Sequence, residues 1–237
     1  MPTEYFEQRE RALLGQRYEQ LYAAPQQTAE RGVTVSALRT TPEQFAQRAD
    51  FPLEPSPFCK SAFVVHQPDF KPGRHPYHHA GVFYSQEPSA SSAAPLLGVQ
   101  PGMRVLDLCA GSGAIGLSVV SEVPGSQVWA VELSPNTAEW TRRNLSETAK
   151  KYPSIASNYH LEIADATSFA TLAQLDVTVD IVITNPPYVP QTDIPEQPEV
   201  RDWDPELALY GGSMDGTLIP ERIIERACRL LKPGGVL

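Results

Sequence analysis

Val105-Leu106-Asp107-Leu108-Cys109-Ala110-Gly111-Ser112-Gly113-Ala114-Ile115-Gly116 is the stretch that decides the fold. An apolar run carrying one acid leads into small residues and glycines, and a second apolar run follows. Glycine tolerates positive φ and lets a ligand approach the backbone closely. The stretch therefore predicts a strand, a tight loop and the first turn of a helix. Its Gly111-x-Gly113-x-x-Gly116 spacing matches the nucleotide-binding fingerprint, although a plain structural turn satisfies the same pattern.

Working outward, the sequence alternates strand and helix signals. Strands are predicted at residues 104–108, 127–131, 160–163 and 179–184. A helix is predicted from about residue 114. Another starts at Ser134-Pro135, an N-cap followed by proline, and runs to about residue 150. A third starts at Pro220 and ends near residue 231, before a turn at Lys232-Pro233-Gly234-Gly235. This alternation predicts an α/β fold with a parallel, doubly wound sheet. The chain stops at Val236-Leu237, where a fifth strand is expected to begin, so a sheet truncated after the start of that strand is expected.

Before residue 103 the signals are shorter and more irregular. Residues 5–22 read as one amphipathic helix with Phe6, Leu13, Leu14, Tyr18 and Leu21 near one face. Thr41-Pro42 reads as a helix start, and a short helix is expected from Glu87-Pro88 toward Leu97. Residues 51–60 and 67–79, rich in proline and histidine, are expected to be irregular, and Gly98 to Gly102 turn into the first strand of the alternating region. Three segments follow: a small α/β domain at 1–74, a connection at 75–102 and a nucleotide-binding domain at 103–237.

Composition narrows the class. The chain has 237 residues and is 41% hydrophobic, enough for a packed core. No apolar run approaches the roughly 20 residues that span a bilayer, and residues 1–20 are too charged for a signal peptide. Cys59, Cys109 and Cys228 lie far apart without metal-ligand spacing, which implies reduced thiols and a cytoplasmic location. The net charge of −9 is uneven: residues 1–109 carry 10 Lys and Arg against 11 acids, residues 110–237 carry 9 against 17. The acidic second part is a poor match for a phosphate backbone. Nucleic acid, if bound, would meet the first part.

Two further acids stand near the glycine loop in the predicted order. Glu132 ends the second strand, where a carboxylate can accept hydrogen bonds from both hydroxyls of a ribose. Asp165, with Ala166, follows the third strand, where it can receive an adenine amino group. Asp107 supplies an acid to the first. A nicotinamide dinucleotide and S-adenosylmethionine both fit this set. The dinucleotide needs room for a pyrophosphate at the helix N-terminus, whereas acids near the loop suit a sulfonium with an amino-acid tail.

The fourth strand ends differently. Asp180-Ile181-Val182-Ile183-Thr184 runs straight into Asn185-Pro186-Pro187-Tyr188. Two prolines stop a buried strand abruptly, because proline has no ladder donor and fixes φ. An amide side chain and an aromatic ring are left at the carboxyl end, where open α/β sheets bind ligands. Asn can hold a substrate amide or amino group while leaving the nitrogen lone pair free.

Residues 107–116, Glu132, Asp165 and Asn185-Pro186-Pro187-Tyr188 together resemble the S-adenosylmethionine-dependent class I methyltransferases that carry an (N/D)-P-P-(Y/F) motif. The stretches Ile194-Pro195-Glu196-Gln197-Pro198-Glu199-Val200-Arg201-Asp202, Leu207-Ala208-Leu209-Tyr210-Gly211-Gly212 and Asp215-Gly216 are more specific. From about 105 to 237 the chain resembles the release-factor glutamine N5-methyltransferases. The resemblance implies a Rossmann-like sheet and S-adenosylmethionine held by Asp107, Cys109, Ala110, Gly111, Ser112, Gly113, Glu132, Asp165, Ala166 and Asn185. It further implies substrate contacts from Asn185, Pro186, Pro187 and Tyr188. Asn185 and the Pro186 carbonyl would accept hydrogen bonds from a glutamine carboxamide, and Tyr188 would pack against it. The amide nitrogen would then face the methyl group for in-line transfer. A peptide chain release factor is the implied partner.

The first part resembles another family. His75-Pro76-Tyr77-His78-His79-Ala80-Gly81-Val82-Phe83-Tyr84-Ser85-Gln86-Glu87-Pro88-Ser89-Ala90, leading into Pro101 to Ala110, looks like the RNA cytosine-C5 methyltransferases. Those enzymes continue with Ala-Pro-Gly-Gly-Lys, whereas this chain turns to the other family's loop. The changeover falls inside a strand both families share, as in a chimera. Cytosine-C5 chemistry needs a thiolate that adds to the base, and that family places it in a Pro-Cys motif after the fourth strand. Here Asn185-Pro186 stands there, and Cys59, Cys109 and Cys228 read as packed thiols. The histidines at 75, 78 and 79 read as a loop covering a cofactor or shaping an RNA cleft, not as a metal site.

Three functions follow in order. The first is an N-methyltransferase acting on a glutamine amide of a release factor. The second is an RNA methyltransferase acting at cytosine C5 or an exocyclic amine. The third is a binding module without catalysis. The oligomeric state is left open.

Overall fold

Proline, glycine and short aromatic strands shape the first part of the chain. The computed structural model describes residues 4–22, 31–36, 39–67 and 69–237. Two compact units emerge, residues 1–96 and residues 97–237.

In the first unit, α1 (Glu4–Leu14) and α2 (Arg17–Tyr22) replace the single helix expected over 5–22. Gly15, at φ +53°, breaks the helix in the left-handed region that glycine occupies without strain. Among the described residues of the expected apolar face only Tyr18 is buried, beneath the Arg11 guanidinium 4.0 Å from its ring, while Leu13 and Leu21 face solvent. The side chain of Phe6 lies outside the described residues. Strand β1 (Arg31–Val35) is followed by α3 (Pro42–Arg48), whose N-cap Thr41 accepts a hydrogen bond from the Gln44 N–H, as Thr41-Pro42 predicted.

Strands β2 (Leu53–Pro55), β3 (Ala62–Val65) and β4 (Phe83–Ser85) complete an antiparallel sheet in the order β2-β3-β1-β4, with α4 (Pro76–His79) before the last strand. The sheet corrects the expectation of irregular structure over 51–60, because Leu53–Pro55 pairs as an edge strand. Residues 67–79 likewise hold a 3-10 turn at Pro72–Arg74 and the single turn of α4. All four residues of β3 are buried, so the strand shows no alternation to read. The core is aromatic: Phe45, Phe51, Phe63, Phe70 and Phe83 pack with Val33, Val35 and Val65.

A 3-10 turn (Pro88–Ser92) and α5 (Ala93–Leu97) follow Glu87, whose carboxylate caps the N–H groups of Ser89 and Ala90. The second unit then runs β5 (Arg104–Leu108), α6 (Ala114–Glu122), β6 (Gln127–Glu132), α7 (Pro135–Lys151), β7 (Tyr159–Ile163) and β8 (Val179–Thr184). Short helices α8 (Pro198–Trp203) and α9 (Glu206–Leu209) precede α10 (Leu218–Leu230) and β9 (Leu231–Val236). The five strands are parallel, in the order β7-β6-β5-β8-β9, which is a Rossmann-like methyltransferase sheet.

Alternation along the strands sends Leu106, Leu108, Val131 and Val182 to a core with Ile223, Ala227 and Leu230 of α10. Val105, Val128, Ala130 and Ile181 go to the other face, with Leu117 and Val120 of α6. The turn expected at 232–235 is absorbed into β9 as a bulge. Val179 pairs with Leu231 and Ile181 with Val236, so the extra residues loop out with Gly234 at φ +82°. Among the described residues no helix is long and apolar enough to cross a membrane.

Candidate functional site

Strand order places the site. β5 pairs with β6 on one side and with β8 on the other, so the chain reverses direction across the sheet between β5 and β8. Open α/β sheets bind ligands beyond the carboxyl ends of the strands at such a point. The last residues of the two strands, Leu108 and Thr184, are register partners, and the Thr184 hydroxyl donates to the Leu108 carbonyl at 2.9 Å. Cys109 and Asn185, one residue further on, therefore leave the sheet side by side. The glycine loop and the Asn-Pro-Pro-Tyr segment flank one crevice.

The loop is rigid from behind and open in front. Cys109, Gly111 and Gly113 all have positive φ, at +63°, +59° and +77°. For a non-glycine such as Cys109 this conformation costs about 1–3 kcal/mol, which surrounding structure must hold in place. Helix α7 supplies part of that support. Thr141 Oγ1 donates to the Gly111 carbonyl at 2.7 Å, and Asn144 Nδ2 donates to the Ser112 carbonyl at 2.9 Å. A side chain at Gly113 would press on Thr141 and Tyr159, and one at Gly116 on Tyr159 and Val128. Nothing stands within 4 Å of the place a Gly111 Cβ would take. The open face is at Gly111.

The three acids take different stations. Asp107 is buried and its Oδ2 accepts from the Gly116 N–H at 2.9 Å, so it pins the first turn of α6. Burial pushes its carboxyl up to about 6; the Gly116 N–H opposes this and the nearby Glu132 adds to it. Glu132 is also buried and receives two backbone donors, Gly111 N on Oε2 and Ser134 N on Oε1, both at 2.9 Å. Asp165 is exposed, with Oδ1 taken by the N–H and hydroxyl of Thr167 at 2.8 and 2.7 Å. Its Oδ2 faces outward without a partner among the described residues. The Ala166 side chain is packed in the core, which leaves only its backbone for a ligand.

On the opposite rim, Asn185 is exposed and its amide makes no hydrogen bond among the described residues. Tyr188 is 64% exposed, an uncommon state for a large ring next to a buried strand. Pro186 and Pro187 are half-buried between them. Beyond Tyr188, Val189 forms a parallel bridge with Tyr210. An open groove beside this bridge is lined by Gln191, Pro205, Glu206, Leu207 and Tyr210.

Cys109 is poorly suited to act as a nucleophile. Its thiol is pushed up to about 11, first by burial and then by Glu132, with a hydrogen bond to Thr184 acting the other way. Of the three histidines read as a covering loop, His75 is held within its own unit. Its Nδ1 accepts from the Tyr77 N–H at 3.1 Å, its Nε2 pairs with Asp50 at 3.2 Å, and its ring lies against Phe51, Phe70 and Phe83. Sequence reasoning missed Thr141, Asn144 and Thr184. The first two are three residues apart and share a helix face, a signal visible only once that face is known to meet the loop.

Comparison with known proteins divides the chain at the same place. Residues 1–88 match the family described as the N-terminal domain of 16S rRNA methyltransferase RsmF. Residues 94–200 match one described as conserved hypothetical protein 95. Over 133 residues, 56% of this chain, the sequence is 98% identical to the release factor glutamine methyltransferase of Bifidobacterium longum, of which it covers 45%. It is 45% identical over 134 residues to the protein of the same name from Streptomyces coelicolor, covering 56% of this chain and 43% of that one. A 4-amino-L-phenylalanine/4-methylamino-L-phenylalanine methyltransferase of Streptomyces pristinaespiralis is 39% identical over 134 residues, covering 56% of this chain and 41% of that protein. The chain spans less than half the length of these curated relatives. It thus joins a first part similar to one methyltransferase family to a second part similar to another, the pattern a chimera gives. A crystal structure of a methyltransferase homolog protein from Pyrococcus horikoshii matches over 99% of this chain and 72% of that one, with a TM-score of 0.60 at 20% identity. That match shows the fold.

Proposed function

We propose that the second unit is an S-adenosylmethionine-dependent N-methyltransferase whose acceptor is a glutamine carboxamide in a peptide chain release factor. The observation that carries this is the pairing of Leu108 with Thr184, which brings the open Gly111 face and the unpartnered Asn185 amide to one crevice. When bound, S-adenosylmethionine supplies the methyl group. The backbone of Cys109 to Gly113, the exposed Asp165 carboxylate and the remaining lone pairs of Glu132 would hold it, because an open glycine face and carboxylate acceptors fit a nucleoside with a cationic amino-acid tail.

The acceptor side follows from hydrogen-bond chemistry. Asn185 Oδ1 and the Pro186 carbonyl are acceptors only, so together they would take both N–H bonds of a carboxamide. That fixes the amide plane and leaves the face of its nitrogen toward the crevice. Tyr188 packs its ring on the same group and excludes water. Positioning and desolvation supply the rate, with no covalent intermediate on the protein.

Charge favours a protein acceptor over RNA. Between residues 189 and 217 the acids Asp193, Glu196, Glu199, Asp202, Asp204, Glu206 and Asp215 stand against one base, Arg201. Phosphate-backbone binding needs the opposite balance. The similarity to an enzyme named for an aromatic amine favours a second reading, a small aromatic amine as acceptor.

Mass spectrometry of a release factor, an aromatic amine and ribosomal RNA, each incubated with the chain and labelled S-adenosylmethionine, separates the acceptors. Label on glutamine is expected. Label on RNA or the amine alone overturns the assignment. Asn185→Ala should lower transfer by about 10²–10³, the loss typical of a positioned polar group at a reacting centre, with cofactor affinity kept within a few-fold. An unchanged rate refutes the role of Asn185.

A further inference from the structure

The Asn185–Tyr188 segment has no ladder partner of its own, yet the backbone immediately beyond it is held firmly. Val189 N donates to the Leu209 carbonyl at 2.8 Å, Gly211 N donates to the Val189 carbonyl at 3.0 Å, and Gln191 N donates to the Ser213 carbonyl at 3.2 Å. Gly216, at φ +78°, lies directly against Tyr188: a Cβ there would collide with the Tyr188 carbonyl and stand 2.9 Å from Pro190 N. Gly211 lies as tightly against Gly216, since a Cβ on Gly211 would collide with the Gly216 carbonyl. Both glycines are buried.

A compact hydrogen-bond knot fixes this loop. Asp215 Oδ1 accepts from the Ser213 hydroxyl at 2.7 Å, the Thr217 hydroxyl at 3.0 Å and Thr217 N at 3.2 Å. Ser213 Oγ accepts from the N–H groups of Thr217 at 3.0 Å and Leu218 at 3.2 Å, the residues that open α10. Ile219 N then donates to the Gly211 carbonyl at 2.8 Å. Residues 209–219 therefore form a clasp anchored on the first turn of a long helix and closed on the backbone of Tyr188 to Gln191.

We infer that this clasp sets the position of the acceptor clamp, with Gly211, Gly216 and Asp215 as positioning residues for the amide held by Asn185 and Tyr188. The physical reason is reach. β8 holds the segment only at Thr184, and the four residues beyond have no ladder bonds to fix where they lie. A rotation of the Tyr188 carbonyl by the added methyl of an alanine at 216 moves the Pro186 carbonyl and Tyr188 ring with it. Displacements of about 1 Å at a reacting centre cost on the order of 10²-fold in rate. This inference rests on the acceptor assignment above, but the clasp is observable without it.

The test uses the full chain with Gly216→Ala, Asp215→Asn and Asp215→Ala. Four quantities are read: S-adenosylmethionine affinity by calorimetry, kcat and KM for a glutamine-bearing release-factor peptide, and amide exchange at Val189 and Gly211. Gly216→Ala is expected to lower kcat at least 100-fold with cofactor affinity within twofold, and to speed exchange at both amides. Asp215→Asn keeps an oxygen acceptor on the knot and should hold kcat within fivefold, whereas Asp215→Ala should lose at least tenfold. The Asn and Ala pair carries the test if Gly216→Ala fails to fold. A kcat within threefold of wild type in Gly216→Ala, or equal losses in the two Asp215 variants, overturns the clasp. So does a parallel loss of cofactor affinity, which marks a merely structural role. Failure of the wild-type chain to methylate the peptide counts against the acceptor instead; the ratios are then read on the acceptor that is methylated, and the exchange rates still decide the clasp.

Discussion

The two units handle their chemically capable residues in opposite ways. In residues 1–96 they are absorbed by packing: His75 caps α4 and lies among phenylalanine rings, and Thr34 bonds Gln86 across the sheet. In residues 97–237 they are displayed at strand ends, as Asn185 and Asp165 are, or hold a loop from beneath, as Asp107 and Glu132 do. The first unit places its polar groups where they stabilise a small aromatic core. The second braces a loop with its buried acids and leaves the others exposed at strand ends.

Truncating the aromatic core should give the largest effect. Phe45 is 1% exposed and its ring lies 5.8–6.4 Å from those of Phe51, Phe63, Tyr77 and Phe83. Phe45→Ala is expected to cost about 3–5 kcal/mol of stability, the usual loss for a buried phenylalanine. Asn185→Ala, expected to lower transfer, should change stability by less than about 0.5 kcal/mol, as exposed positions do. Denaturant unfolding of both variants checks the contrast. A loss below 1 kcal/mol for Phe45→Ala would mean that the first unit is not held by its rings.

The same contrast explains what the sequence disclosed. In the second unit, β5 and β8 were predicted residue for residue and β6, β7, α6 and α7 to within a residue or two, because five- and six-residue apolar strands alternate with capped helices. The residues of the candidate site were also readable, since glycine, proline and acids at strand ends have few structural reasons to be there. In the first unit, β2 and β4 have three residues each and β3 is buried throughout, so no period could show. What no sequence pattern carried was the support: Thr141 and Asn144 behind the loop, and Gly216 against Tyr188. Those contacts join residues 28 to 32 positions apart, and their meaning depends on which elements the fold brings together.

Asp107 sharpens the comparison in the second unit. Its folded carboxyl sits at about 6, against an ordinary value of 3.8, chiefly because it is buried. Between those two pH values the folded chain holds more protons than the unfolded chain, so this group's contribution to stability falls as pH rises through the window and is flat above it. Asp107→Asn keeps an oxygen for the Gly116 N–H without the charge. The variant should gain on wild type between about pH 4 and pH 6, by on the order of 3 kcal/mol in total, and run parallel to it above pH 7. Urea unfolding of both proteins at several pH values measures the difference. A constant difference across the range would show that the carboxyl is not held in the apolar floor.

The smallest effect expected is on thiol chemistry, and it separates the two family resemblances. Cytosine-C5 transfer requires a thiolate that adds to the ring of the base. The Cys109 thiol, raised to about 11 by burial, is ionised to only about 0.03% at pH 7.5, and it stands under the loop beside Thr184 rather than on the crevice rim. Cys228 is exposed on α10, outside the glycine loop. Brief treatment of the folded chain with iodoacetamide should therefore label Cys228 and spare Cys109, as read by peptide mass spectrometry. RNA carrying 5-fluorocytosine, which traps an enzyme thiol on the ring during such a transfer, should form no covalent adduct. Labelling of Cys109 at the rate of Cys228, or an adduct mapped to any cysteine, would restore cytosine chemistry to the chain. Without a thiolate at the crevice, the acceptor proposed above rests on the exposed Asn185 amide and the Pro186 carbonyl, whose oxygens take N–H donors.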